Sequence, residues 1–366
     1  MTRRSKTLDD KDKAILNALA RLGGKASAED VSRIAEGSLK PRTVRYRIQR
    51  LKETGYLERM LAQTHETKIG LGDCYMLLQM AEGQQKMPPD VLPSFPMFYA
   101  YGVTFGRYNG VVVNASFATH APDVITTVLD AFYEKELIED HKVFEVTDYV
   151  SMPPDFENLG PRGDWAWDWR QWVQQAQDLV REGPVVHLDL DLDHSPVDFD
   201  HLDVKLISQL KIDAGSSLKE LSESLGLSES QVATRQKRLD ELGIIKGWRW
   251  ILADTADQIE THLHFETESP FHPILLAIRR LPFPKDLFAE TDRRFYVKIH
   301  VPSDHFSGFL RGIGRLRQYF LTHFIQTVTD IHGPPIDTVY GYYSKRTGRW
   351  EFDVEEFIHR MEESLQ

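Results

Sequence analysis

A chain of 366 residues that is 41% hydrophobic can fill the cores of roughly two to four domains, which sets it among globular rather than disordered proteins. No basic N-terminal segment runs into an apolar stretch, and no apolar run approaches the about 18 residues a membrane span needs, so a cytoplasmic protein without a membrane partner is expected. The single cysteine, Cys74, excludes an internal disulfide and a thiolate metal cluster. The formal charge of −11 is unevenly spread: residues 1–60 carry 15 Lys/Arg against 8 Asp/Glu, a balance of +7 that leaves −18 for the remainder, while residues 200–250 hold eight of each sign.

Three apolar-periodic segments open the chain, Ala14–Leu19, Ala28–Ala35 and Val44–Leu51, each fitting a helix with one buried face. Gly23, Gly24 and Gly37 punctuate the first two, and Gly55 follows the third as a C-cap. Tyr56–Leu61 then has the composition of a wing strand. The following stretch alternates as an α/β segment, with strands at Tyr75–Met80, Phe98–Thr104, Val111–Phe117 and His141–Tyr149 and a helix around Pro122–Tyr133. Four of the seven tryptophans cluster in Gly163-Asp-Trp165-Ala-Trp167-Asp168-Trp169-Arg-Gln-Trp172. That run predicts an aromatic strand leading into an amphipathic helix, and packing rather than a ligand cage explains it.

Past Gly183-Pro184 and the acidic stretch Val185–Asp203, the pattern starts again. Leu202–Leu210, Leu218–Leu225 and Val232–Leu239 are three helices, and Ile244–Ile251 is the strand of a second wing. A second α/β segment has strands at Thr261–Glu266, Asp286–Glu290, Phe295–Val301 and Phe324–Thr329, with helices at Ile274–Arg280 and Asp304–Tyr319. Val44-x-x-Arg47-x-x-Arg50-Leu51-x-Glu53-x-Gly55 reappears as Val232-x-x-Arg235-x-x-Arg238-Leu239-x-Glu241-x-Gly243, and the aromatic run reappears as Gly348-Arg-Trp350-Glu-Phe352-Asp353 with Phe357. The fold expected is α+β, an internal duplication in which two winged helix-turn-helix domains (1–62 and 200–252) alternate with two ferredoxin-like α/β sandwich domains (70–152 and 257–345). Residues 153–199 form an aromatic helix and acidic linker, and 346–366 a C-terminal aromatic strand and helix.

The third helix of a winged helix-turn-helix buries one stripe and offers the other to the DNA major groove. Val44, Ile48 and Leu51 make the buried stripe of the first copy. Arg42, Thr43, Arg45, Tyr46 and Gln49 are then free to face DNA. Arginine and glutamine can bond guanine and adenine bidentately, so Arg42, Arg45 and Gln49 are candidates for reading bases. Lys40, Arg47, Arg50 and Arg59 are candidates for phosphates. In the second copy Ser230, Gln231, Thr234 and Arg235 would face outward, supported by Lys237, Arg238, Lys246 and Arg249. A basic helix face also occurs as plain solvated surface, and Arg47, Arg50, Arg235 and Arg238 could equally pair with acids. The copies are not equal: Lys40-Pro41 stands where the second has Ser228, and Gln236 takes the place of Ile48. With its positive balance, the first copy is the stronger candidate.

These two patterns and the α/β segments between them resemble the Lrp/AsnC (feast/famine) family of transcriptional regulators, a likeness that covers nearly all of each half apart from the aromatic extensions. The resemblance implies a DNA-binding regulator of double-stranded DNA in which one chain imitates a family dimer, with a further homodimer of four modules expected from symmetry. It also implies a small effector, amino acid-like, near a Gly-x-Tyr-Asp-like turn. Gly106-Arg-Tyr108-Asn109 is similar to that turn with Asn in the last place, and an ordinary hairpin turn is the competing reading.

Other chemistry finds little support. His187, Asp189, Asp191 and Asp193 fall on one face of an extended stretch that ends at His194, as do His262 and His264 on a strand, but a solvated acidic edge explains the first better than a metal. No nucleophile motif or phosphate-binding glycine loop occurs, so no enzyme and no cofactor are expected. Two alternatives stay open: a fused enzyme similar to siroheme decarboxylases, which share this architecture, and an architectural DNA-binding protein. A charge of −18 outside the first module disfavours the second.

Overall fold

The computed structural model describes residues 8–35, 39–83, 87, 91–160, 164–193, 195–252, 257–334 and 337–366; Gly37, Gly163 and His194 lie outside them. The first helical module consists of α1 (Asp10–Leu22), α2 (Ala28–Ile34) and α3 (Pro41–Glu53). Asp9 caps α1 in a reciprocal box with Asp12, and Ser27 caps α2, each satisfying backbone donors that a helix start leaves open. Proline opens α3, whose N-cap Lys40 makes no side-chain bond. After strand β1 (Leu57–Thr64) come β2 (Leu71–Met80), β3 (Phe98–Gly106), β4 (Gly110–Ala118), α4 (Asp123–Glu134), β5 (Ile138–Val146), β6 (Asp148–Met152) and α5 (Trp169–Glu182). The second half repeats the order: α6 (His201–Ile212), α7 (Leu218–Leu225), α8 (Glu229–Glu241), β7 (Ile245–Leu252), β8 (Gln258–Glu266), α9 (Ile274–Arg279), β9 (Lys285–Ala289), β10 (Arg294–Pro302), α10 (Phe306–Leu316) and β11 (Thr322–His332). A single turn α11 (Asp337–Tyr340), a hairpin of β12 (Tyr343–Ser344) and β13 (Arg349–Trp350), and α12 (Val354–Ser364) end the chain.

Most expected elements are present, although the strand expected at His141–Tyr149 is divided into β5 and β6 at Thr147 and the aromatic run at Trp165 forms no strand, and the strand partners differ from simple wings and separate sandwiches. β1 and β7 pair with each other, antiparallel, Met60 opposite Trp250 and Ala62 opposite Trp248. Each helical module thus contributes one strand to a ribbon shared by both. Gly24 N–H donates to Trp248 O, and Ala214 N–H to Met60 O, so the turn after the first helix of each module is anchored to the other module's strand.

The remaining nine strands form one sheet in the order β5-β2-β4-β3-β11-β8-β10-β9-β6. Its two ends, β5 and β6, are separated along the chain by Thr147 alone, whose N–H bonds Ala289 O at 2.8 Å. The sheet therefore closes on itself. The last strand of each half crosses to the other: β6 covers β9, and β11 pairs with β8 through Thr322–Val328 and with β3 through Gln326–His332. Between β2 and β3 the described residues contain a short 3-10 turn, Leu92–Ser94, where the second half has α9.

Alternation along these strands sorts side chains between an outer face under the helices and the interior. Cys74, Met76 and Leu78 of β2 pack outward with α4 and α12. Tyr75 and Leu77 point inward with Phe144, Tyr296 and Val328. The modules pack across the halves. The core of α1–α3 is continuous with α5, α9, α10 and the outer face of β8–β10, whereas α6–α8 pack with Leu71, Tyr340 and Trp350. The tryptophan run is part of this packing: buried Trp172 donates to Ala277 O at 2.8 Å, and Trp165 makes only an isolated bridge to Leu159 rather than a strand.

Beside β2, buried Glu66 accepts from Lys211 of α6, from Thr64 and from Tyr340. Asp73 accepts from Ser116 Oγ at 2.6 Å. Burial, reinforced by the Glu66 charge, pushes the Asp73 carboxyl from 3.8 up to about 7, against the pull of Ser116 and Lys211. A carboxyl that keeps its proton longer folded than unfolded stabilises most at low pH, and that stability drains away as pH rises from about 4 to about 7. Asp73→Asn is expected to be more stable than the parent at pH 8 and equal to it at pH 3.5 in urea titrations; the opposite ranking would show that the carboxylate is ionised and favourable.

Candidate nucleic-acid interface

Helix packing decides which basic side chains of the modules can reach a ligand. Val44 and Leu51 are fully buried under α3, with Ile48 packed beside them. Arg42, Arg45, Tyr46 and Gln49 are exposed on its far side, and Lys40 and Arg59 flank it, also exposed; Tyr46 is 68% exposed, a large aromatic left in water. Thr43 is half-buried. Arg45 touches Glu29 of α2 and Gln49 bonds Glu53 at 3.0 Å. Both are surface contacts that cost little to exchange for another partner.

Arg47 and Arg50 belong to a different set. Arg47 Nη1 lies 2.7 Å from Asp9 and 2.8 Å from Asp12, and Arg50 also binds Asp12, whose side chain is 1% exposed. Burial, which would lower the Arg47 guanidinium, is outweighed by these two carboxylates, and it is held above its ordinary value. The second module repeats the arrangement: Arg235 meets Asp200 at 2.9 Å and Asp203 at 2.6 Å, and Arg238 meets Asp203 at 2.8 Å and Asp198 at 3.2 Å. The repeated arginines thus clamp the third helix to the capped start of the first helix in both modules. The signal for this was in the sequence, as Asp9-x-x-Asp12 and Asp200-x-x-Asp203.

Lys246 and Arg249, expected from the sequence to support DNA contacts of the second module, turn toward the nine-stranded sheet. Lys246 binds buried Asp148 and the carbonyl of Tyr149. Arg249 binds Asp286 at 3.0 Å and Ser151 at 2.8 Å. Ribbon pairing with β1 places them there, where a hairpin wing would have projected them outward. Ser230, Gln231, Thr234 and Lys237 of α8 are exposed, with Ser228 and Gln231 forming the capping box of the helix.

The turn Gly106–Asn109 is already filled from the opposite half. Gln326 Oε1 of β11 accepts the N–H groups of Arg107 and Tyr108, and its Nε2 donates to Tyr108 O at 2.7 Å and Thr104 Oγ1 at 2.9 Å. Asn109 N–H donates to Gln79 at 2.7 Å, and Tyr108 is buried. The donors an effector carboxylate would take are engaged. Of the acidic stretch, Asp191 pairs with Lys68 at 2.6 Å and Asp193 caps Ser195.

Sequence reasoning passed over the interior of the sheet. His262 Nδ1 lies 2.6 Å from Tyr75 Oη and its Nε2 2.9 Å from Glu260. His264 is stacked on Phe324, 4.5 Å between ring centres. Burial lowers both imidazoles, only partly offset at His262 by Glu260. A cavity of about 400 Å³ opens beyond them, between α1, the ribbon and β9–β10. The sequence signal was Trp248-Arg-Trp250 at strand spacing.

A family described as winged helix-turn-helix DNA-binding matches residues 199–246, the second module, whose regular caps on α6, α7 and α8 contrast with the uncapped α3. That module is a winged helix-turn-helix domain of DNA-binding type. A proline dehydrogenase transcriptional activator from Rhizobium radiobacter is 41% identical over 59 residues, which are 16% of this chain and 38% of that protein. This chain therefore spans about two fifths of that relative. Among solved structures, the siroheme decarboxylase NirDL is similar over 98% of both chains, with 10% identity and a TM-score of 0.55, a likeness of fold. The transcriptional regulator NMB0573 of Neisseria meningitidis, solved with L-Met, aligns with 38% of this chain and 90% of its own at 19% identity and a TM-score of 0.31.

Two substitutions separate the clamp from the exposed face. Arg47→Met leaves Asp12 buried with one partner and is expected to cost about 3 kcal/mol of stability. Arg45→Ala is expected to leave stability within about 0.5 kcal/mol. Chemical denaturation of both variants checks the pair, and equal losses would contradict the division.

Proposed function

We propose that this chain is a sequence-specific transcriptional regulator of Lrp/AsnC type, an internal duplication that acts as a covalent pseudo-dimer on double-stranded DNA. One observation carries the reading. The outer face of α3 keeps Arg42, Arg45, Tyr46 and Gln49 exposed while Arg47 and Arg50 fix the helix from behind, which is what a helix entering the major groove requires. The base-reading set is Arg42, Arg45 and Gln49, with Lys40 and Arg59 on phosphates and Thr43 and Tyr46 beside them. In the second module the set shrinks to Ser230, Gln231, Thr234 and Lys237. Arg47, Arg50, Arg235, Arg238, Lys246 and Arg249 serve the fold. In this reading residues 1–62 and 200–252 are the DNA-binding units, while 70–152 and 257–345 act as one body because they share a sheet. A further homodimer would present four modules, and mass measurement in solution distinguishes it from a monomer.

Lys and Arg bound to phosphates release counterions, so the affinity for promoter DNA is expected to fall by at least about 10³ between 50 and 200 mM salt if some six phosphates are met. Arg45→Ala should change which sequences are bound, and Arg59→Ala should weaken all of them alike. A flat salt response in a fluorescence titration would sink the reading.

The whole-chain likeness to NirDL favours one second reading, an enzyme similar to siroheme decarboxylases. Mixing the protein with siroheme and passing it through gel filtration decides between them. A Soret band that travels with the protein supports the enzyme, and a colourless protein peak supports the regulator.

A further inference from the structure

The two halves match closely enough that their differences can be located. Setting the capped helix starts Asp9 and Asp12 against Asp200 and Asp203 brings Ala20 of α1 opposite Lys211 of α6, and the aromatic runs bring Trp165 opposite Trp350. Around Lys211 the corner between module, ribbon and sheet is full. Glu66, Thr64 and Tyr340 surround the ammonium, Trp350 donates to Ile69 O, and the space left beside Glu66 and Asp73 is about 10 Å³. Around Ala20 the same corner holds the cavity of about 400 Å³.

Its wall is built for a ligand with two different ends. Trp165, Trp248 and Trp250, with Leu16 and Leu19 of α1, make an apolar side. The lining also includes Lys298 and His300, Arg249 paired with Asp286, and Lys285, whose ammonium donates to the carbonyls of Leu281 and Phe283. Among the described residues, buried polar atoms without a hydrogen-bond partner include Trp165 Nε1, Trp250 Nε1 and Gln258 Oε1, and all three residues line this cavity. Buried polar groups are rarely left unpaired unless something absent from the coordinates serves them. Glu260, behind the wall, is shared by Lys298 at 3.0 Å, His262 at 2.9 Å and His300 at 4.0 Å. Burial alone would raise the Glu260 carboxyl, but these neighbours hold it at about 2. Lys298 is the permanently charged group among them, and with the unpaired indole N–H groups it offers the donors that a ligand's carboxylate would meet. Lys298 is 29% exposed and His300 31%, open enough for an incoming anion. Volume, position at a junction of units, and a mainly apolar wall with few convergent polar groups are those of a small-molecule site.

We propose that this cavity binds a small organic anion, a carboxylate on an aromatic or branched apolar body, with the carboxylate at Lys298 and His300 and the body against Trp165, Trp248 and Trp250. The bound anion would touch α1 and the ribbon on one side and β10 on the other. Any effect on DNA rests on the regulator reading, whereas binding itself does not.

The test uses the full chain with indole-3-acetate, phenylacetate and 4-methylpentanoate, each against its carboxamide, by calorimetry and tryptophan fluorescence. The acids are expected to saturate a single site and to bind at least tenfold more tightly than the amides. Lys298→Gln should remove that tenfold preference while leaving amide binding unchanged. Trp250→Phe, which keeps one aromatic ring but removes the rest of the indole with its N–H, should weaken acids and amides alike. Absence of saturable binding by all three acids overturns the proposal, as does equal affinity for acids and amides in the parent. A protein that binds these acids but no DNA would keep the site and refute the regulator.

Discussion

An exposed strand edge is a row of unpaired N–H and C=O groups, and the architecture of this chain follows from how two such edges are covered. Each half makes a four-stranded unit whose second strand, β3 or β9, would be left at an edge. β11 reaches past β8 to cover β3, and the chain after β5 turns at Thr147 to cover β9. Neither half can finish its sheet without the other. Closure also creates the interior that takes Tyr75, Phe144, His262, His264 and Tyr296 out of water, and it fixes each helical module over the opposite half.

On that frame the repeated arginines acquire a meaning that their composition alone does not give. Positive charge on a recognition helix suggests phosphate, but Asp12 and Asp203 lie fully buried at the start of the first helix and need counter-charge. Arg47 with Arg50, and Arg235 with Arg238, supply it. An unpaired buried carboxylate costs more than an exposed arginine gains from solvent, so these groups stay in the fold. What is left for DNA is the outer face, where Arg45 and Gln49 have only weak surface partners. Removing the clamps from the count narrows the difference between modules to charge: α3 and its N-cap keep Lys40, Arg42 and Arg45 outward, whereas α8 offers Ser230, Gln231, Thr234 and the single cation Lys237.

Local pattern carried the sequence a long way. Helices α1–α3 and α6–α8 and most strands of both α/β segments were legible from periodicity and repetition, whereas the break at Thr147 that divides the expected His141–Tyr149 strand into β5 and β6 was not. Pairing was not, because strand register and closure depend on residues far apart in the chain. Ile244–Ile251 has the composition of a wing strand whether it folds on itself or joins Tyr56–Leu61 across the molecule, and only the second arrangement sends Lys246 and Arg249 toward Asp148 and Asp286. The turn at Gly106 illustrates the same limit. Its residues resemble an effector loop, yet Gln326, more than two hundred residues away, occupies its backbone donors. The site was least legible where it depends on a small side chain in place of a long one, as at Ala20.

A paired frame gives such an absence its force. When two corners are built alike, filling one with a buried Lys–Glu pair shows what the geometry needs to be self-contained. Glu66 and Lys211 achieve this with good geometry and extra bonds from Thr64 and Tyr340, the condition under which a buried pair is tolerated. The other corner lacks the lysine, keeps its tryptophans and gathers more basic groups than acids. Residues 1–60, which include α1, carry a balance of +7 that the acidic remainder does not share. The half whose third helix keeps more basic side chains outward is thus also the half whose first helix borders the open cavity, so a ligand there would press directly on that module.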